Sequence, residues 1–386
     1  MRLIPTLFPC LIASLILTFS TCLSAAAAEP RVLIVSIDGL RPDCALRADM
    51  PNLRSLMKEG SFTFWATTTT VAVTLPSHTS MLTGVVVETH GIKGNDDKSA
   101  ASEKVLVPTI FDLAKSAGLS TGMAAGKSKF SLYAGSVDHK WITTKSVTTD
   151  DEVATAAIEL IKAYQPRVML LHLPATDSIG HSLGWGGPEQ IATINNADKQ
   201  LGRVLETLNE LNLRDQTTII VSADHGGGGK THGGETAAHP SNQTIPWIIS
   251  GPDVRKNFDL TRVKGLQVRT YDTFATACKV LNITLPEGSD GKAILQAFPA
   301  EDLMTNPATQ PTTQATTEAF TGKPRGRGSP NRDEDGRNIL YPAGPINQGK
   351  SILGTAEAEK NYANESAPST QPATPSPSPQ SPSPTK

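Results

Sequence analysis

Cysteine is scarce in this chain: four residues in 386, namely Cys10, Cys22, Cys44 and Cys278. A disulfide framework of the kind that staples small secreted domains is therefore excluded, and Cys44 and Cys278 read as two isolated thiols. An excess of either charge is missing too. With 35 Lys and Arg against 37 Asp and Glu the net charge is −2, so no basic surface is available to bind nucleic acid by neutralising its phosphates. Long apolar runs are also lacking. The stretch Leu11 to Leu23 is shorter than the roughly 20 residues a membrane-spanning helix needs, and no stable membrane span is expected. No internal repeat is visible, which excludes a solenoid.

What is there falls into three parts. Residues 1–28 run from Met1-Arg2 through that apolar stretch to Ala25-Ala26-Ala27-Ala28. A charged start, an apolar middle and a small-residue end form the pattern of a secretory signal peptide, so an exported protein, periplasmic or extracellular, is expected. Residues 301–386 carry 13 of the 28 prolines and end in Ser-Pro repeats. Such a stretch buries too little apolar surface to offset its ordering entropy and reads as a disordered Pro/Ser/Thr-rich tail. Between them, residues 29–300 suit one large domain with a single core.

Within 29–300, short β-branched runs alternate with helical patterns. Val32–Ile37, Ser120–Ala125, Val168–Leu173, Thr217–Ala223 and Trp247–Ser250 read as buried strands. Residues 51–60, a segment opened by Pro108, one capped by Asp150 or Asp151, Glu189–Leu211 and Thr270–Leu281 read as helices. The alternation predicts an α/β fold with a mostly parallel central sheet and helices on both faces. In such sheets ligands bind beyond the carboxyl ends of the strands, so chemistry is sought just past each strand.

Asp38-Gly39 follows the run Val32–Ile37, Asp177-Ser-Ile-Gly-His181 follows Val168–Leu173, and Asp224-His225 closes Thr217–Ala223, with His232 seven residues further on. Carboxylates and imidazoles gathered at three strand ends are the mixed oxygen and nitrogen donors that zinc accepts. Three of each exceed one tetrahedral ion, so two divalent metals are the natural count. His239 competes with His232 as the third imidazole. A nucleophile is expected in the hydroxyl-rich segment 67–84, where composition does not choose among Thr74, Ser77 and Thr79. Two Gly-Lys-Ser/Thr endings, at 126–128 and 229–231, lack the leading glycine of a P-loop, which is Thr121 in one and Asp224 in the other.

Taken in order, Asp38-Gly39, Thr74-Leu-Pro-Ser-His78, Leu82-Thr-Gly84, His90-Gly-Ile92, Asn95, Asp177-x-x-Gly-His181 and Asp224-His225-Gly226 resemble the alkaline phosphatase superfamily. Within it the set is most similar to the type I phosphodiesterase/nucleotide pyrophosphatase branch, over residues 31–285. The resemblance implies that Thr74 is the nucleophile, itself held by the metal that activates it, with Asp38, Asp224 and His225 as that metal's other ligands. It implies Asp177, His181 and His232 for a second metal, and Asn95 as the side chain that holds a phosphoryl oxygen. It implies two zinc ions, a phosphothreonine intermediate and a small-molecule phosphoester substrate. Lys127 and Lys129 resemble the paired lysines of phosphonoacetate hydrolases, a neighbouring branch, and are expected to meet substrate charge.

Two positions depart from the pattern. Leu75 and Ser77 stand where nucleotide pyrophosphatases often carry Phe and Asn, so a base-stacking aromatic is missing there and nucleotide preference stays open. A sulfatase is excluded, since residues 74–78 hold no Cys and His78 stands where that family needs Arg. The expectation is an exported dinuclear-zinc hydrolase of phosphodiester or pyrophosphate bonds. A phosphomonoesterase or phosphonoacetate-hydrolase-like enzyme is the alternative, and a catalytically silent metal-binding surface protein is the non-enzyme alternative. Further substrate contacts are expected from loops at 61–73, 93–105, 127–148 and 183–189.

Overall fold

The apolar run that opens the domain becomes the middle of a sheet: β1, Arg31–Ile37, is buried from Val32 onward. The computed structural model describes residues 29–228, 232 and 239–299; the leader at 1–28 and the tail at 301–386 lie outside the described residues. Further strands are β2 (Gly60–Thr67), β3 (Thr121–Ala125), β4 (His139–Ile142), β5 (Val168–Leu173), β6 (Thr217–Ser222), β7 (Thr244–Ser250) and β8 (Phe258–Asp259). Among the described residues they form one sheet in the order β4-β3-β5-β1-β6-β7-β2-β8. Only β7 runs against the rest, pairing antiparallel with β6 and β2. The expected α/β fold with a mostly parallel sheet is what the chain adopts.

Every residue of β3, β5 and β6 is buried, as parallel strands covered on both faces must be. Helices Pro51–Glu59, Asp150–Tyr164 and Pro188–Glu210 pack together, and helices Thr74–Thr83, Ile110–Ser116 and Asp272–Val280 form a second group, so that both faces of the sheet are covered.

The peripheral elements differ from expectation. Residues 61–67, read as loop, belong to β2, which alternates in burial and carries a bulge between Thr63 and Ala66 beside an exposed Trp65. A half-exposed, bulged strand has no continuous apolar run, which is the signal used for the other strands. The segment 93–105 contains a helix at Asp97–Ser102, and 127–148 contains a 3-10 turn at Ser128–Tyr133 as well as β4. Two helix starts also move. Thr109, not Pro108, caps the helix that begins at Ile110, in a reciprocal capping box with Asp112. Thr149, not Asp150 or Asp151, caps the next, accepting the Glu152 N–H.

Displaced from the cap, Asp150 turns inward. It is buried, and its Oδ1 accepts the Ala175 N–H at 3.0 Å, while its Oδ2 has no hydrogen-bond partner. Burial, with Asp38 as a minor contributor, raises its pKa to about 7. The unfolded value is about 4. Below that, both states hold the proton and stability is unaffected. Between about 4 and 7 the unfolded chain loses a proton that the native state keeps, so stability falls as pH rises, and above 7 the penalty is constant. Asp150→Asn keeps an acceptor for Ala175 without the charge. It is expected to raise stability at pH 8 by a few kcal/mol and to change little at pH 4. Denaturant melts at the two pH values check this; equal effects at both would rule out the ionisation account.

Candidate active site

The site follows from strand register. Ile37 of β1 pairs with Leu173 of β5, and Ser36 pairs with Ser222 of β6, so these three neighbouring strands end level. Asp38 is the next residue after β1, Asp224 lies two past β6, and Asp177 stands in the first turn of the helix Ala175–Leu183 that leaves β5. On the far side of β5, Ala125 of β3 pairs with His172, which brings Lys127, two residues past β3, to the same edge. Gly39 turns the chain with φ 73°, a conformation that favours glycine, and its N–H donates to Asp224 Oδ1 at 3.2 Å.

The structure brings the expected ligand residues together. His225 Nε2 lies 3.4 Å from Asp38 Oδ1 and 3.2 Å from Asp224 Oδ2, all three side chains fully buried. Asp177 Oδ1 lies 3.4 Å from His181 Nε2 and 3.2 Å from His232 Nε2, and the two imidazole Nε2 atoms are 2.9 Å apart. Asp177, His181 and His232 form one group able to hold a metal ion, and Asp38, Asp177 and His225 form another. His239 is elsewhere, exposed at a turn where its Nδ1 accepts the Ser241 N–H at 3.2 Å.

Hydrogen bonding shows what these groups need. The Nδ1 of His225 donates to the Gly226 carbonyl at 2.8 Å, and that of His232 donates to the Ala72 carbonyl at 2.9 Å. A carbonyl can only accept, so each ring turns an unprotonated Nε2 toward carboxylate oxygens. Lone pair then faces lone pair. Asp38 Oδ1, Asp177 Oδ1, Asp224 Oδ2 and His225 Nε2 are all buried without a hydrogen-bond partner, a costly arrangement that a divalent cation satisfies. The residues present therefore fit a metal.

The charge balance agrees. Burial opposes ionisation of Asp38 and Asp177, but Lys127 outweighs it and holds both below the usual carboxylate range. For Asp224, burial and the charge of Asp38 win, and its pKa is raised well above that range. One ammonium thus supports two carboxylates and not the third.

Lys127 Nζ sits 2.7 Å from Asp38 Oδ2, 2.6 Å from Asp177 Oδ2 and 3.2 Å from Thr74 Oγ1. It was expected to meet substrate, and it also binds the ligand carboxylates. Thr74 is buried and is the first residue of the helix Thr74–Thr83, capped by Val73. Of the other two hydroxyls in that segment, Ser77 Oγ donates to the Asp224 carbonyl at 2.6 Å and Thr79 Oγ1 to the Leu75 carbonyl at 2.8 Å; both are tied to backbone. Asn95 Oδ1 accepts the Leu75 N–H at 2.9 Å, and Lys129 Nζ donates to the Asn95 carbonyl at 2.6 Å. Holding the amide oxygen of Asn95 leaves its NH2 end to serve an anion.

Three contributors were missed. His78 donates from Nδ1 to the Thr74 carbonyl at 2.8 Å and accepts from Ser36 Oγ at 2.8 Å, locking the first turn of the nucleophile helix. His172 bonds Asp38 Oδ2 at 2.9 Å. Trp185 stands edge-on to His181 and His232, with ring centroids 5.6 and 5.7 Å away, over Gly227, where a Cβ would meet the indole at 2.1 Å. The available signal was a polar or aromatic residue inside a motif or an otherwise apolar strand.

Comparison with known proteins agrees with the geometry. A sequence profile described as type I phosphodiesterase / nucleotide pyrophosphatase matches residues 32–240, more than half of the chain. Human ectonucleotide pyrophosphatase/phosphodiesterase family member 5 is 28% identical over 227 residues, covering 54% of this chain and 47% of that protein. A bis(5'-adenosyl)-triphosphatase of Xenopus laevis is 25% identical over 232 residues, covering 52% of this chain and 48% of that one. The chain thus spans about half the length of the curated relatives it matches. Among solved structures, an inactive threonine-to-alanine variant of murine ectonucleotide pyrophosphatase/phosphodiesterase 5 in complex with AMP superposes with a TM-score of 0.55. It is 18% identical, with 67% of this chain and 96% of that chain covered.

Proposed function

Because the chain belongs to the type I phosphodiesterase/nucleotide pyrophosphatase family, we propose that it hydrolyses phosphodiester or pyrophosphate bonds, with Thr74 as the nucleophile. Two divalent cations, zinc by the donor chemistry, would be held by Asp38, Asp224 and His225 and by Asp177, His181 and His232, with Thr74 completing the first set. The observation that carries this reading is the pair of unprotonated Nε2 atoms, of His225 and His232, turned on buried carboxylates beside a buried threonine hydroxyl. Bound there, such cations neutralise phosphoryl charge and lower the pKa of a neighbouring hydroxyl.

The chain's own residues do the rest. Thr74 Oγ1 forms a bond to phosphorus as the bond from phosphorus to the leaving oxygen breaks, which gives a phosphothreonine. Water then cleaves that ester and the threonine hydroxyl returns. Lys127, 3.2 Å from Thr74 Oγ1, stabilises negative charge there and on the phosphoryl oxygens, and the Asn95 amide donates to an equatorial oxygen. The names of the relatives support a nucleotide-like diester or anhydride substrate, and the loss of activity in a threonine variant of a structural neighbour is consistent with Thr74. The apolar leader supports an exported enzyme.

Lys127 and Lys129 also favour a second reading, a phosphomonoester or phosphonate substrate, because two ammonium groups beside Thr74 and Asn95 suit a more highly charged anion. Initial rates on bis-p-nitrophenyl phosphate and p-nitrophenyl phosphate separate the two. The diester is expected to be preferred in kcat/KM by about tenfold or more. The reverse order would replace the diesterase reading with the second, and turnover of neither with metal bound would leave a silent scaffold.

A further inference from the structure

His172 is the fifth residue of β5, in the middle of a run of Met, Leu and Leu, and is fully buried. A polar ring in such a strand must find partners on both nitrogens. One is the Gly126 N–H, 3.3 Å from Nδ1. A backbone N–H can only donate, so Nδ1 is the acceptor and the ring's hydrogen is on Nε2. That hydrogen is donated to Asp38 Oδ2 at 2.9 Å. The ring is clamped by its packing, 4.2 Å from Phe130 at a 31° tilt and 5.0 Å from His78 edge-on. Lys127 pulls on the same oxygen at 2.7 Å. Asp38 therefore has both of its protein partners on Oδ2, while Oδ1, without a hydrogen bond, points to His225 Nε2.

We propose that His172 is a positioning residue that fixes the rotation of Asp38, committing Oδ2 to the protein and presenting Oδ1 to the cation. The inference rests on the metal reading above. The same imidazole also bonds the backbone of Gly126, the residue before Lys127, and so couples the placement of the Lys127 loop to that of the metal ligand. Outer partners of metal ligands typically tune affinity by about 10–100-fold.

The test compares three variants of the full chain, each checked for folding by circular dichroism without metal. His172→Asn can still accept from Gly126 but is too short to reach Asp38; His172→Phe fills the space and has no donor; His172→Gln carries an N–H at about the reach of Nε2. Zinc affinity is measured by competition with a chromophoric chelator. Asn and Phe are expected to weaken the tighter-binding site by about 10–100-fold, and Gln to recover most of that loss. Wild-type affinity in a folded Asn or Phe variant would overturn the inference while leaving the metal reading intact, as would a Gln variant no better than Phe. An unmodified protein that binds no zinc would overturn the metal reading, and this inference with it.

Discussion

Thr74→Ala is expected to lower kcat on a phosphodiester by about 10⁵-fold while leaving the fold and the metal content unchanged. Loss of a nucleophile elsewhere has cost up to about 10⁶-fold, and here nothing nearby replaces it. Ser77 and Thr79 both give their hydroxyls to backbone carbonyls, and Lys127, charged by virtue of Asp177 and Asp38 despite its burial, has no lone pair to attack with. The structural cost is small because the contacts that hold the helix start involve the Thr74 carbonyl, which His78 binds, and not its side chain. Thr74→Ser, which keeps the hydroxyl, is expected to retain far more activity than Ala. Steady-state kinetics, metal analysis and a search by mass spectrometry for phosphate on Thr74 check the set. A folded, metal-loaded alanine variant with near-normal kcat would remove Thr74 from the reaction.

Chelation is expected to abolish turnover by about 10³-fold or more, and added zinc to restore it. Loss should come in two phases. His181 is 42% exposed in its side chain, whereas Asp38, Asp224 and His225 are fully buried, so the Asp177–His181–His232 site should empty first. The pH dependence has a definite sign. Burial and the charge of Asp38 raise Asp224, so without a cation its native form keeps a proton that the unfolded chain has lost. The metal-free protein therefore loses stability as pH rises above the ordinary carboxylate range. A cation requires the ionised form, so its binding expels that proton, and affinity climbs with pH. Calorimetry in buffers of different ionisation enthalpy should show proton release on zinc binding, and the zinc-induced rise in Tm should grow from pH 5 to pH 8. A Tm rise that shrinks over that range would contradict the protonated state assigned to Asp224.

The centre of this fold was legible because parallel strands covered on both faces must be apolar throughout, and β1, β5 and β6 read as such runs. The ligands were legible because such a sheet delivers its chemistry just past those runs, where Asp38, Asp177 and Asp224 stand. The edges were not. β2 and β4 are partly exposed and their patterns compromise between two environments. Helix caps slipped by one residue because Thr149 and Asp150 can both cap, and only the inward demand of Ala175 for an acceptor decides between them. Composition left three hydroxyls in 67–84 equivalent; the hydrogen bonds that occupy Ser77 and Thr79 exist only in three dimensions. Lys127 was visible as a charge near the site, but its grip on Asp38 and Asp177 depends on the pairing of β3 with β5, which no local pattern records.

That pairing has a practical consequence. Lys127, Asp177, Asp38 and Asp224 issue from β3, β5, β1 and β6, four strands that lie side by side in the sheet. The spacing of the reactive groups is thus inherited from backbone ladders, about 4.8 Å per strand, and owes nothing to the length of the connections between them. An engineer can treat the two as separate parts. Randomised inserts in the connections around Thr69–Val71 and Leu183–Gly187 should change which molecule is admitted, while the cutting apparatus beneath keeps its dimensions.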